Sequence, residues 1–289
     1  MNNTARLAVC LIVALLFNTG IYLYFDRVLL APTSAFWVNT NTDASVGGQA
    51  YYSRDRRYLA VTKPQTVEIY AMPGKKLVRT IELGTQRVSY FRWLEDRNLA
   101  LMAIHNVKGY EDSPVVLSYI NPTKQEHELT TTIKNVPPGS KIVDVAYSTA
   151  TNVIYMQVQT STNPNLYRVY RTDANHDLTR TYLTTSKIGR IGVLYDQDAL
   201  IYDNQSENTV IARFGDGSWR VISPTVGKYH LVGVDQKNNI YIAKLNAEGL
   251  AVTILRGSLG ITFETERTLQ TPVPVSQLKV SDLIKQPAK

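Results

Sequence analysis

Four histidines, one cysteine and a few clustered acids are the side chains of this 289-residue chain with the chemistry for catalysis or metal binding. His105, His127, His176 and His230 fall in four separate stretches. Zinc sites pair their ligands at short spacing on one element, so each histidine is read as a loop or surface residue and no metal is expected. Asp173, Asn175 and Asp177 alternate like the opening of a calcium loop, yet Leu178 stands where that loop needs glycine and Thr184 where it needs glutamate. A tight turn between strands uses the same residues. The serines of Gly217-Ser218-Trp219 and Gly257-Ser258-Leu259-Gly260 lack the strand-to-helix elbow of a hydrolase nucleophile and read as hairpin turns. Paired acids, Asp196 with Asp198 and Glu111 with Asp112, fall in expected turns, where carboxylates are ordinary. Cys10 lies in an apolar N-terminal run, which excludes a disulfide within the chain and a thiolate metal site. No catalytic residue and no cofactor is assigned.

The elements that would position any site begin with that run. Leu7 to Phe25 carries no charge and, at about 1.5 Å per residue, matches the hydrocarbon thickness of a bilayer. It is expected to be one uncleaved transmembrane helix, with Tyr22 and Tyr24 at the interface; a cleaved signal peptide is the competing reading. Arg6 ahead of the span favours a cytoplasmic N-terminus and an extracytoplasmic body. The expected domains are therefore an anchor or signal peptide at 1–27, a tether rich in Asn, Thr and Pro at 28–48, and a repeated body at 49–289.

Within the body one cassette recurs, an apolar run, a polar turn and a second apolar run, as in Trp93 to Met102. Aligning the second runs on Leu59, Leu99, Val153, Leu200 and Ile240 gives separations of 40, 54, 47 and 40 residues. A period in this range with strands inside each unit is the mark of propeller blades. Four short strands are expected per unit, in the first at Tyr51-Tyr52, Tyr58 to Thr62, Val67 to Ala71 and Leu77 to Leu83. No useful stretch of helical periodicity intervenes, which excludes an α/β fold. The fold class is all-β, a propeller of five visible repeats preceded by the transmembrane helix. A sixth blade could be assembled from Phe36 to Thr40 and Val275 to Val280.

The recurring polar turn followed by an apolar strand resembles the β-propeller superfamily, especially its irregular WD40-like and TolB-like members. The resemblance is architectural, covers about residues 49–270 and implies a rigid scaffold used for binding. No unit carries the Trp-Asp or Gly-His pairs of true WD repeats.

In a propeller the second-to-third and fourth-to-first connections share a face, and long loops on a rigid scaffold are where binding residues gather. His105 to Pro114 is the longest such connection, with Lys108, Tyr110, Glu111 and Asp112; Asn163 and Asn165, and Asn204 and Glu207, belong to loops on the same rim. The net charge is +7, and residues 49–97 hold ten Lys or Arg against five Asp or Glu. Arg54, Arg56 and Arg57 form a basic patch that would meet an anionic polymer. Nucleic acid is disfavoured by the expected anchor. These observations point to a single-pass membrane protein whose extracytoplasmic propeller binds a protein or an envelope polymer, as adaptor or sensor; the alternative is an envelope hydrolase or lyase with an axial active site.

Overall fold

The computed structural model describes residues 48–107, 114–124, 129–175 and 177–284. These form five antiparallel four-stranded sheets, each contiguous in sequence. Blade 1 comprises β1 (Gln49–Tyr52), β2 (Tyr58–Thr62), β3 (Thr66–Ala71) and β4 (Lys76–Glu82), and blade 2 comprises β5 (Gln86–Trp93), β6 (Ala100–Asn106), β7 (Val115–Ile120) and β8 (Thr130–Ile133). Blade 3 holds β9 (Lys141–Ser148), β10 (Val153–Thr162), β11 (Asn165–Thr172) and β12 (Thr179–Thr181). Blade 4 holds β13 (Ile188–Val193), β14 (Ala199–Asn204), β15 (Thr209–Phe214) and β16 (Trp219–Val221). β17 (Tyr229–Val234), β18 (Ile240–Leu245), β19 (Ala251–Ser258) and β20 (Ile261–Val273) complete blade 5. This is the β-propeller that the repeat predicts.

Each first strand lies against the first strand of the next blade, β1 to β5, β5 to β9, β9 to β13 and β13 to β17. The side chains of the middle strands explain why their apolar runs are unbroken. On β6, Ala100 and Met102 pack with Phe91, Ile69 and Val67 between blades 1 and 2, while Leu101 and Ala103 pack with Ile142, Val145 and Met156 between blades 2 and 3. A strand buried on both faces needs an apolar residue at every position, whereas a half-solvated strand alternates. The same arrangement joins blades 3 and 4 through Tyr155, Ile188 and Leu200, and blades 4 and 5 through Leu194, Ile201 and Leu231.

Of the sixth blade that the two chain ends could assemble, the C-terminal half is not a strand. Val275–Gln277 is a 3-10 turn and Val280–Ile284 is a short helix, α1, so no strand runs from 275 to 280. Pro272 and Pro274 have no N–H to give to a ladder, and the carbonyls of Ser276 and Leu278 are taken by the guanidinium of Arg190 at 3.0 and 2.8 Å. This segment covers the open face of blade 5 instead: Leu283 of α1 is buried with Val232, Tyr241 and Ala243, and Leu278 and Val280 pack against the same cluster. Phe36 to Thr40, the other half of that expected blade, lies outside the described residues, as does the expected membrane span Leu7 to Phe25. Among the described residues no helix is long and apolar enough to cross a membrane.

Candidate functional site

Antiparallel strands put the first-to-second and third-to-fourth connections of every blade on one face, called here the first, and the remaining connections on the second. On the first face the polar tips of the five cassettes do more than turn the chain. Asn98 Nδ2 donates to Asp55 Oδ2 at 2.8 Å, joining blades 2 and 1, and Arg54 reaches the carbonyl of Asp96 at 3.5 Å. The backbone N–H of Glu95 donates to the Tyr147 hydroxyl at 3.2 Å, joining blades 2 and 3. Ser148 Oγ donates to the carbonyl of Tyr195, and the N–H of Tyr195 donates to Asn238 Oδ1 at 2.6 Å, so the chain of latches runs through blades 3, 4 and 5. Gln236 Nε2 then reaches back to Glu95 Oε2 at 3.0 Å.

One tip is built differently. Thr149-Ala150-Thr151-Asn152 of blade 3 carries no charge, while each of the other four has at least one acid or base. Its turn is closed by Thr151 N–H donating to Ser148 Oγ at 3.2 Å and by Asn152 at a φ of 53°. A groove of about 330 Å³ opens between this tip and that of blade 2. Its floor is apolar, from Leu94, Leu99, Leu117 and Ile154, and its walls carry Tyr119, Tyr147, Thr131 and Thr172. Leu129, 49% exposed, stands at its edge. The volume lies in the range of small ligand pockets and fits one large side chain with its backbone.

Electrostatics keep the groove neutral. Arg97 and Asp173 both line it, but Arg97 is paired with Asp96 at 2.6 Å and Asp173 with Arg171 at 3.1 Å. The Arg171 hydrogen bond holds the Asp173 carboxyl below its ordinary value. Burial pushes Tyr119 upward and Tyr147 up to about 12, so both remain neutral hydroxyls. The Oγ1 of Thr172 is buried without a hydrogen-bond partner among the described residues. A buried unpaired hydroxyl costs roughly 1–3 kcal/mol.

Four acids of blades 3 and 4 are committed to the scaffold. Asp203 is buried, accepting from the N–H groups of Leu231 and Arg190, the latter at 3.2 Å. Burial pushes its pKa up to about 7, against those hydrogen bonds and the Arg190 charge. Asp144 is likewise raised by burial and accepts from the Val145 N–H at 2.9 Å. Asp198 binds Tyr155 and Arg171, and Asp173 closes its own turn with the Asn175 N–H at 3.0 Å. Among the described residues no three His, Cys, Asp or Glu side chains converge as a metal site would require.

The residues singled out in the sequence are split between the two faces. His105 is the penultimate residue of β6, half-buried toward the second face, and His230 lies on β17; both are strand residues rather than the loop or surface residues expected. Burial lowers the pKa of each. His127 and His176 lie outside the described residues, as do Lys108, Tyr110, Glu111 and Asp112. Asn163 and Asn165 form the β10–β11 turn, where Asn165 accepts from Gln159 at 3.0 Å. Asn204 is buried and its Oδ1 accepts from the N–H groups of Ser206 and Glu207, at 3.0 and 3.3 Å. It shapes its own loop, and Glu207 beside it is exposed. Arg54, Arg56 and Arg57 stand on the first face: Arg57 pairs with Asp55 at 3.3 Å and Arg56 lies 6.0 Å from the Tyr52 ring centroid. The groove residues were missed. The uncharged tip at 149–152 was the signal for them, since the other four tips each carry an acid or a base.

No protein-family model and no curated protein matches this chain. Its fold is similar to that of prolyl oligopeptidase B from Galerina marginata, at 9% identity and a TM-score of 0.53, over 76% of this chain and 33% of that one. A prolyl endopeptidase matches at 15% identity and a TM-score of 0.52, over 80% and 37% respectively. This chain therefore spans about a third of the length of either peptidase. Streptogramin B lyase matches at 13% identity and a TM-score of 0.50, over 79% of this chain and 72% of the lyase. At such identities the likeness is one of fold.

Proposed function

We propose that this β-propeller is held at a membrane by Leu7 to Phe25 and presents its first face outside the cytoplasm, where the groove between blades 2 and 3 grips an apolar side chain of an extended partner segment. It acts as an adaptor or sensor. The observation that carries this reading is the groove itself: an apolar floor, neutral tyrosine hydroxyls and an uncharged tip. Main-chain hydrogen bonds supply affinity in such recognition, and a pocket for one side chain supplies specificity. The rigid latches around it favour binding further, because a pre-organised surface loses little entropy on association. An enzyme would use open acids, while Asp144 and Asp203 are engaged with backbone N–H groups and Arg190 neighbours both.

A photo-crosslinking amino acid at Leu129 in the full chain tests the groove. The expected result is a discrete adduct that disappears with Leu117→Asp; adducts that form equally from position 207 on the opposite face overturn it. The anchor is checked separately by mass spectrometry of the mature protein, where a start after Gly20 or Ala35 rules it out.

A further inference from the structure

The first strand of each blade begins on the second face beside the axis, and in four of the five blades a cation stands at the same place there. Arg87, Lys141, Lys187 and Lys228 each precede the first residue that packs toward the preceding blade, respectively Val88, Ile142, Ile188 and Tyr229. Each also stands opposite the end of its second strand. Arg87 pairs with His105 and Lys141 with Gln159, while the carbonyls of Lys187 and Lys228 accept from the N–H groups of Gln205 and Leu245 at 3.0 and 2.9 Å. Gln49, opposite Thr62, takes this place in blade 1. Side chains alternate along a strand, so every one of these cations is turned away from the preceding blade at the mouth of the axis. Lys187 and Lys228 are exposed, and Arg87 and Lys141 are half-buried. Among the described residues none of the four forms an ion pair, and Arg87 donates only to the carbonyls of Gly84 and Gln86, at 3.3 and 2.7 Å.

His105 is an independent sign that these charges converge. It shares the blade 3 side of its sheet with Arg87, and its Nδ1 is buried without a hydrogen-bond partner among the described residues. Burial first, then the charges of Lys141 and Arg87, lower its pKa. The described acids of this face stand further from the axis or are engaged: Glu82 ends the outer strand β4, Glu207 and Glu248 lie in second-to-third turns, and Glu68 is paired with Lys63 at 2.6 Å. Asp144 and Asp203 lie further along their strands, bound to backbone N–H groups and beside Arg190. Lys134 and Lys244 add to the positive sign of the face, and Lys108, Glu111 and Asp112 lie outside the described residues.

We propose that the second-face mouth of the axis binds a compact anion carrying several phosphate groups, with Arg87, Lys141, Lys187 and Lys228 as its cations and His105 beside them. Sheets packed face to face lie about 10 Å apart, so long side chains from neighbouring blades reach one molecule between them. Cations set around an axis match negative charges gathered on a compact molecule, whereas a linear acidic chain is matched by a stripe. This face is opposite the groove, and the two readings are independent.

Titration calorimetry of the full chain with sodium tripolyphosphate at low salt is expected to show one saturable site, with an affinity that falls as salt is added. Absence of saturable binding overturns the proposal. Replacing Lys141 and Lys187 together by Gln should weaken binding roughly tenfold or more, since each removes a hydrogen bond between charged groups. Lys76→Gln with Lys237→Gln removes the same charge from the first face and should leave the affinity as it is. An equal loss in the two double variants, or no loss in either, overturns the placement. His105 reads the site with every lysine in place: its imidazole resonance, picked out by its disappearance in His105→Asn, should titrate at higher pH once tripolyphosphate saturates the chain, because a nearby anion favours the imidazolium. A titration unmoved by saturating tripolyphosphate overturns the placement as well. Tighter binding of poly-glutamate than of tripolyphosphate at equal charge concentration overturns the assignment to a compact phosphate.

Discussion

Tyr155 and Asp198 are joined across blades 3 and 4 by a hydrogen bond of 2.5 Å from the tyrosine hydroxyl to Oδ1. Arg171 holds the other carboxylate oxygen at 3.0 Å. Tyr155 is wholly buried, and burial first, then the bond to Asp198, pushes its phenol far above its ordinary pKa. Tyr155→Phe keeps the ring packing and removes only the hydroxyl. The expected cost is about 1–2 kcal/mol, read as a lower melting temperature, with the β content by circular dichroism unchanged.

Leu129 edges the groove and is half-exposed, so its replacement touches little of the core. Leu129→Glu is expected to lower partner capture at least tenfold while moving stability by less than about 0.5 kcal/mol. Leu101→Ala, in the middle of the interface between blades 2 and 3, should instead cost about 2–5 kcal/mol. Titration of partner binding beside thermal melts separates the two effects.

Burial lifts Asp203 from 3.8 to about 7, so between those values the folded chain retains a proton that the unfolded chain has released. The stability from this proton is complete below the ordinary carboxylate value and is lost as pH rises toward 7, by up to a few kcal/mol in order of magnitude. His105 and His230 act in the opposite direction, because burial lowers their pKa and their contribution fades as pH falls below 6.5. Asp203→Asn therefore isolates the carboxylate. Its melting temperature should lack the decline that the wild type shows from pH 4 to 7; parallel profiles would show that Asp203 titrates normally.

Arg190 fastens the C-terminal segment through the carbonyls of Ser276 and Leu278 and reaches the carbonyl of Val232 at 2.9 Å. Arg190→Met should loosen that segment while leaving the five sheets. Limited proteolysis, followed by mass spectrometry, is expected to cut within residues 274–284 several times faster than in the wild type. An unchanged cleavage rate would show that Leu283 and Val280 hold the segment without the guanidinium.

Much of the fold was legible because strand position depends on local pattern. Tyr58 to Thr62 is β2 to the residue, and the expected Val67 to Ala71 lacks only Thr66 of β3. Turn residues bound these runs, and burial on both faces makes the middle strands continuous in apolar character. The latches were less legible, although three of them, Asp55 to Asn98, Tyr155 to Asp198 and Tyr195 to Asn238, each span 43 residues. That spacing is close to the repeat itself. Reading each polar tip as a turn alone overlooked that neighbouring tips are also hydrogen-bonding partners.

By itself, the sequence determined the repeat, the all-β class and the strand boundaries, since alternation, turn residues and period are properties of neighbours along the chain. Only the tertiary structure decided which polar tips are joined across neighbouring blades, as Asn98 is to Asp55 and Asn238 to Tyr195. It also decided that Val275 to Val280 covers blade 5 rather than extending a sheet. The groove between blades 2 and 3 belongs to neither blade's sequence alone. It exists because the uncharged tip at 149–152 meets Leu94, Leu99 and Leu117, and a cavity is a property of two surfaces brought together.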